Sequence, residues 1–280
     1  MTRPSSRIGF MQGRLSPLVG GRIQAFPWDH WRDEFRLAHQ LGLERMEWTL
    51  DQDKLYANPL MLASGQAEIR HLAKTWNLSV TSATGDCFMQ APFWKVTGPL
   101  REQLILDLAA IVRACFSIGA NLIVMPLVDN GALENAAQEG VLRTRLLALQ
   151  PLLSQTGVRI AFETDLDPDA QMAFIQAFPA EHFGINFDIG NSASLGWAPR
   201  LEIPRIAPRL LNVHVKDRRL GGTTVALGEG DADLATVFAL LKAAGYDGQL
   251  ILQTARAADG NHCAAARRYR DLVMDLMAAA

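Results

Sequence analysis

Cysteine is scarce in this chain. Its 280 residues hold three, Cys87, Cys115 and Cys263, odd in number and far apart. No Cys-x-x-Cys pair exists, so neither a disulfide framework nor a cysteine-based zinc site is indicated, and a reducing cytoplasm is the expected compartment. Long basic runs are also missing; the densest cluster is Arg267-Arg268-Tyr269-Arg270. Lys and Arg (27) nearly balance Asp and Glu (29), for a net charge of −2. That balance gives no electrostatic footprint for nucleic acid or an anionic membrane, so neither partner is expected. The opening Met1-Thr2-Arg3-Pro4-Ser5-Ser6-Arg7 lacks the apolar segment of a signal peptide. No apolar run approaches the roughly 20 residues of a membrane span. A glycine-rich phosphate turn is absent as well. Met11-Gln12-Gly13-Arg14-Leu15, after the first apolar run, carries a single glycine, where an open doubly wound nucleotide-binding sheet would show its repeated-glycine fingerprint.

What is present is alternation. Hydrophobic residues make up 49% of the chain, ample for a large core. Short β-branched and aromatic runs recur at Ile8–Gln12, Arg45–Thr49, Ser79–Ala83, Asn121–Met125, Arg159–Glu163, Phe183–Asp188, Leu210–Val215 and Leu250–Gln253. Between them lie segments with apolar residues at helical spacing. Trp31, Phe35, Ala38 and Leu41 share one face before Gly42. Near Pro99–Ile118, Leu100, Leu104, Leu108, Ile111 and Cys115 share another before Gly119. Leu142, Leu146, Leu149 and Leu153 predict one helix; Asp233 is placed to cap a helix that Gly245 ends. The first of these is expected to start at about Asp29, and further helices near Met61–Trp76, Pro168–Phe178, Pro199–Ala207 and Cys263–Met277. Eight strand–helix units without a low-complexity linker predict an α/β fold: a single (β/α)8 TIM barrel spanning 1–280 as one domain.

Polar residues close several of the later runs. Glu163 ends the fifth, Asp188 the sixth, Gln253 the eighth, and His214 stands within the seventh. In a closed barrel these ends converge on the C-terminal mouth, where TIM barrels place their active sites. Two carboxylates, an imidazole and an amide oxygen there suit a divalent metal. Each residue also has a plainer reading: a loop glutamate, a capping aspartate, a satisfied core histidine, a buried amide. The coincidence of all at matching strand ends favours the metal.

The segments Phe187-Asp188-Ile189-Gly190-Asn191, His214-Val215-Lys216-Asp217 and Leu227-Gly228-Glu229-Gly230-Asp231, in that order, resemble the signatures of the xylose isomerase-like barrels. These include sugar-phosphate isomerases and epimerases, ketose 3-epimerases, inositol-pathway enzymes and an endonuclease branch. The resemblance implies one divalent metal (Mg, Mn or Zn) per chain held by Glu163, Asp188 and His214, with the family's second glutamate replaced by Gln253. An amide oxygen can coordinate, but it carries no charge and takes no proton at pH 7. Weaker metal affinity and the loss of one of two bases are therefore expected. The activity implied is isomerisation or epimerisation of a ketose or ketose phosphate by proton transfer through a metal-stabilised enediolate. Glu163 is the expected first base and Glu47, at the end of the second run, the candidate for a second. A dehydratase or lyase on a cyclic polyol or keto-sugar, and a catalytically impaired sugar-binding homologue, are the alternatives. The endonuclease branch needs several strand-end histidines; among six histidines only His214 sits at such a place.

Substrate contacts are expected from Gln12 and Arg14 at the first strand end, from Asn191, and from Lys216 and Arg218, cations suited to an oxyanion or phosphate. Gly228-Glu229-Gly230 offers backbone amides to a phosphate, or merely a tight turn toward Asp233. The aromatic segment Gly85–Trp94 predicts a pocket wall or a subunit contact through Trp94, helped by Trp28 and Trp48, with plain packing as the alternative. The partner implied is a small sugar or sugar phosphate; a homo-oligomer is left open.

Overall fold

A computed structural model describes residues 7–280; Met1–Ser6, and with them the expectation of no leader, lie outside the described residues. Eight parallel strands close into a barrel: β1 Ile8–Met11, β2 Arg45–Thr49, β3 Ser79–Thr84, β4 Leu122–Leu127, β5 Arg159–Thr164, β6 Phe183–Asp188, β7 Leu210–Val215 and β8 Leu250–Leu252. Neighbours pair in sequence order, and β8 returns to β1 through Ile8–Leu250, Gly9–Ile251 and Phe10–Leu252. The (β/α)8 TIM barrel expected from the alternation is the observed fold. Each expected run overlaps a strand, because side chains that are apolar on both faces suit a sheet covered outside by helices and filled within. Gly9 is where two backbones come close: a Cβ there would lie 2.7 Å from Ile251 Cδ1 and 2.9 Å from the Arg45 carbonyl oxygen.

The helices are α1 Asp33–Leu41, α2 Ala63–Trp76, α3 Asp86–Gln90, α4 Gly98–Ile118, α5 Ala136–Ala148, α6 Gln150–Thr156, α7 Pro168–Gln176, α8 Ile189–Leu195, α9 Pro199–Ile206, α10 Leu234–Ala243 and α11 His262–Ala279. Gly42 ends α1 in the left-handed region (φ 66°), its amide donating to the Ala38 and His39 carbonyls. Asp233 caps α10 by accepting the Thr236 amide at 3.1 Å. The single helix expected through Leu142 to Leu153 is divided at Leu149. Pro151 sits in the first turn of α6, where its missing N–H costs nothing, so it restarts the helix instead of extending α5. All four leucines are nevertheless buried. The turns α3 and α8 are too short to show periodicity, and both begin at the barrel mouth. No helix among the described residues is long and apolar enough to cross a membrane.

A candidate metal centre at the barrel mouth

Register brings the strand-end residues to one level. Asp188 and His214 are directly paired across β6 and β7, and Glu163, the penultimate residue of β5, lies beside Pro126 of β4. The carboxylate oxygens of Glu163 and Asp188 and a ring nitrogen of His214 all lie within 4.8 Å of one another. His214 Nδ1 stands 3.2 Å from Glu163 Oε2 and 4.0 Å from Asp188 Oδ2. Ligands bound at about 2.0–2.2 Å around one ion are separated by roughly 3–4 Å, so this spacing matches a coordination shell.

Each of the three is aimed by its neighbours. Asp188 Oδ1 accepts the Asn191 amide at 2.8 Å as the N-cap of α8, which leaves Oδ2 toward the histidine. Glu163 Oε1 accepts from Asn191 Nδ2 and its Oε2 from Asn186 Nδ2, both at 2.8 Å. His214 Nε2 lies 2.7 Å from Glu47 Oε1, at the bottom of the site. Glu47 Oε2 accepts from Ser82 Oγ at 2.8 Å and Asn212 Nδ2 at 3.1 Å. Thus a buried polar column, Ser82–Glu47–His214, runs up the barrel axis to the mouth. Burial alone pushes the imidazole down, but the Glu47 charge and the hydrogen bonds of Glu163 and Glu47 outweigh it and raise it to about 10. In the metal-free protein a proton held between two carboxylates supplies the positive charge that this pocket demands.

Next to this cluster opens a cavity of about 700 Å³, reached among the three donors by Glu163. Glu163, Asn191, Lys216, Arg218, Gln253 and Asp86 line it. Lys216 Nζ donates to Asp188 Oδ2 at 3.1 Å and to Asn191 Oδ1 at 3.0 Å. Arg218 donates through Nη1 to Asn191 Oδ1 at 2.9 Å and through Nη2 to the Gly222 carbonyl at 2.7 Å. Gly190 makes room for both: a Cβ there would lie 2.7 Å from Lys216 Cγ and 3.2 Å from Arg218 Cγ. Gln253, one residue beyond β8, donates from Nε2 to Gln24 Oε1 at 3.2 Å. Its Oε1 is buried without a hydrogen-bond partner among the described residues.

Several expected contacts lie elsewhere. Glu47 is fully buried behind the histidine ring, not in the cavity, because its position on β2 directs the side chain into the barrel interior beside Ser82. Gln12 accepts the Thr49 amide through Oε1 at 3.1 Å and braces β1 on β2. Arg14 lies behind the cavity wall, bonding the Ile23 carbonyl and, at 3.0 Å, Gln24 Oε1. Trp94 is 2% exposed, edge-on to Phe93, and donates Nε1 to the Gly131 carbonyl at 3.1 Å. It packs in the core, so the plain reading of that ring holds; Trp48 is likewise fully buried. The amides of Gly228, Gly230 and Ala232 donate to Asp217 at 2.9, 2.9 and 3.1 Å. That loop therefore cradles an internal carboxylate, not a phosphate.

Three residues of the site escaped sequence reasoning. Asn186 lies mid-strand in an apolar run, and Gln24 in an irregular loop; neither position carries a signal. Asp86 did carry one: it is the second residue after β3, at the strand end where barrel-mouth acids belong.

The family profile described as a xylose isomerase-like TIM barrel matches residues 35–272. The L-ribulose-5-phosphate 3-epimerase UlaE of Salmonella paratyphi C is 25% identical over 261 residues, covering 89% of this chain and 91% of that protein. Among solved structures, a xylose isomerase domain protein from Planctomyces limnophilus superposes with a TM-score of 0.75 at 17% identity, covering 98% of both chains. The IolI protein with a binding zinc atom superposes with a TM-score of 0.76 at 14% identity, covering 97% of this chain and 98% of that one. The strand order, the mouth-facing donors and the matched profile agree: this chain belongs to the xylose isomerase-like TIM barrel family.

Proposed function

We propose that the chain is a divalent-metal-dependent isomerase or epimerase of a ketose or ketose phosphate. The observation that carries this reading is the meeting of Glu163, Asp188 and His214 around one point, with Glu163 also lining a cavity of about 700 Å³. A cavity of that size is typical of small-molecule sites. The donor set fits a hard or borderline cation such as Mg, Mn or Zn, and the orphaned Gln253 Oε1 offers a further neutral oxygen. The epimerase relative and the zinc-bearing structural neighbour support both halves of the proposal.

When bound, the ion would supply a Lewis acid for the substrate carbonyl. The protein's own side chains do the rest. Glu163 is the base that takes the proton from the carbon beside the carbonyl, its carboxylate fixed by Asn186 and Asn191. Lys216 and Arg218, both anchored on Asn191 Oδ1, present positive charge to substrate oxygens or a phosphate. The polar lining replaces water around the reacting carbon with fixed dipoles.

In D2O with a panel of ketoses and ketose phosphates, the protein should exchange deuterium into the carbon next to the carbonyl, and Glu163→Gln should reduce that exchange by about 100-fold or more. Metal analysis of protein purified without chelator should find one divalent ion per chain. Undiminished exchange in the variant would reject Glu163 as the base; protein that neither binds metal nor exchanges with any ketose would reject the function.

A further inference from the structure

Epimerisation needs two proton-transfer groups, because the proton must leave one face of the carbon and return to the other. At the end of β8, where such a group would face Glu163, stands the neutral amide of Gln253. The remaining acids of the cavity wall differ in setting. Asp129 and Asp165 lie beyond the strand ends, and both are exposed. Asp86 is different: it is 6% exposed, opens α3 directly after β3, and lines the cavity with Glu163 and Gln253. In the closed strand order β8 stands three strands from β5, whereas β3 is parted from β5 by β4 alone; the side of the cavity that Asp86 serves is therefore set by its bridge to Gln253 at the β8 end.

A hydrogen-bonded relay ties this acid to the altered position. Gln253 Nε2 donates to Gln24 Oε1 at 3.2 Å, and Gln24 Nε2 donates to Asp86 Oδ2 at 2.5 Å. Gln24 is itself held by Arg14 Nη2 at 3.0 Å. A carboxylate at 253 would face the Gln24 carbonyl oxygen and break this chain; the amide completes it. One oxygen of Asp86 is thereby pinned, while Oδ1 has only a long 3.4 Å contact from Thr84 Oγ1. Burial pushes the Asp86 carboxyl up to about 7, despite the Gln24 hydrogen bond, and the nearby charges of Asp51 and Glu163 add to the rise. The group therefore holds a proton that it can give near neutral pH.

We infer that Asp86 is the second proton-transfer residue of this site, taking the place of the carboxylate that position 253 lacks, with Gln24 and Gln253 holding it in position. The inference rests on the isomerase or epimerase reading. In the forward direction Glu163 accepts the proton from the substrate carbon as the C–H bond breaks. Asp86 then gives its proton to the opposite face of the same carbon, and a new C–H bond forms with inversion. Glu163 ends protonated and Asp86 ionised; exchange with solvent restores both, and no oxidant or reductant is consumed.

The test separates exchange from inversion. Wild type, Asp86→Asn and Asp86→Glu are incubated in D2O with Mn²⁺ and the ketose that wild type exchanges best, with product stereochemistry followed by NMR. Asp86→Asn should lose inversion by about 100-fold or more while exchange at the same carbon falls by less than about tenfold. Asp86→Glu should recover part of the inversion. Circular dichroism and Mn²⁺ titration confirm that both variants fold and load. Inversion by Asp86→Asn at the wild-type rate, or equal losses of exchange and inversion, would overturn the role of Asp86 and leave Glu163 and the sugar reading standing. A wild type that exchanges but never inverts would also overturn it. A wild type inert to every ketose would instead remove the sugar reading, and this inference with it.

Discussion

Glu47 carries no exposed surface, yet it is the closest charged neighbour of His214, at 2.7 Å from Nε2. A buried carboxylate is tolerated only when fully paired, and here Ser82, Asn212 and the imidazole share its two oxygens. Accepting Nε2–H fixes the ring and its tautomer, so that Nδ1 turns its lone pair to Glu163 and Asp188 when a cation displaces the second proton. Glu47→Gln keeps the shape and removes the charge. Mn²⁺ affinity, measured by isothermal titration, should fall by about 10- to 100-fold, as for other carboxylates behind ligating histidines; unchanged affinity would show that the ring needs no such partner. Residue identity made Glu163, Asp188 and His214 legible in the sequence because charged groups at the ends of apolar runs are costly unless used. It misdirected Glu47 for the same reason: position at a strand end does not say whether a side chain enters the cavity or the barrel interior.

Short elements, more than long ones, shape the rim. The two turns of α8 are capped by Asp188, so one carboxylate both starts a helix and presents an oxygen to the candidate metal centre. A two-stranded antiparallel ribbon, 217–218 with 224–225, carries Arg218 to the mouth and is locked at its base by Asp217. Gly230 is required there, since a Cβ would lie 2.0 Å from Asp217 Oδ1. Asp217→Ala leaves three backbone amides without their acceptor. It should lower stability by about 2 kcal/mol or more and loosen the ribbon, read as faster hydrogen exchange at residues 226–232 and weaker substrate binding. A variant as stable and as protected as wild type would show that water replaces the carboxylate without loss. The long helices were legible from their 3.6-residue period and their glycine ends. The division between α5 and α6, and the helices α3 and α8, were not, because one proline or one turn leaves no period to read.

For the molecule as a whole, the site joins four strands, β2, β5, β6 and β7, through a positive charge held among the buried carboxylates of Glu47, Glu163 and Asp188. Without metal that charge is the His214 proton. Its affinity is raised in the fold from the ordinary value of 6.5 to about 10, so the stability it contributes is complete below 6.5 and is lost as pH rises through 10. A cation supplies the charge independently of pH but must expel the proton to bind. The metal's stabilisation should therefore be small near pH 6 and grow toward pH 9. With Mn²⁺ at about 100 times its dissociation constant, the gain is about 2.7 kcal/mol, a rise in Tm of roughly 5 °C. Calorimetry with and without Mn²⁺ at several pH values checks this; a gain that shrinks as pH rises would contradict proton–metal competition at His214. The sequence by itself determined the barrel and three of its mouth-facing donors, because strand and helix periods and strand-end polarity are local properties of the chain. Only the tertiary structure decided what each donor meets: that Glu47 backs the histidine, that Asp217 fills the amide cradle, that Trp94 is core, and that Asp86 lines the same cavity as Glu163. Those outcomes depend on barrel register and on which face of a strand looks inward, and both are set when distant segments close the ring.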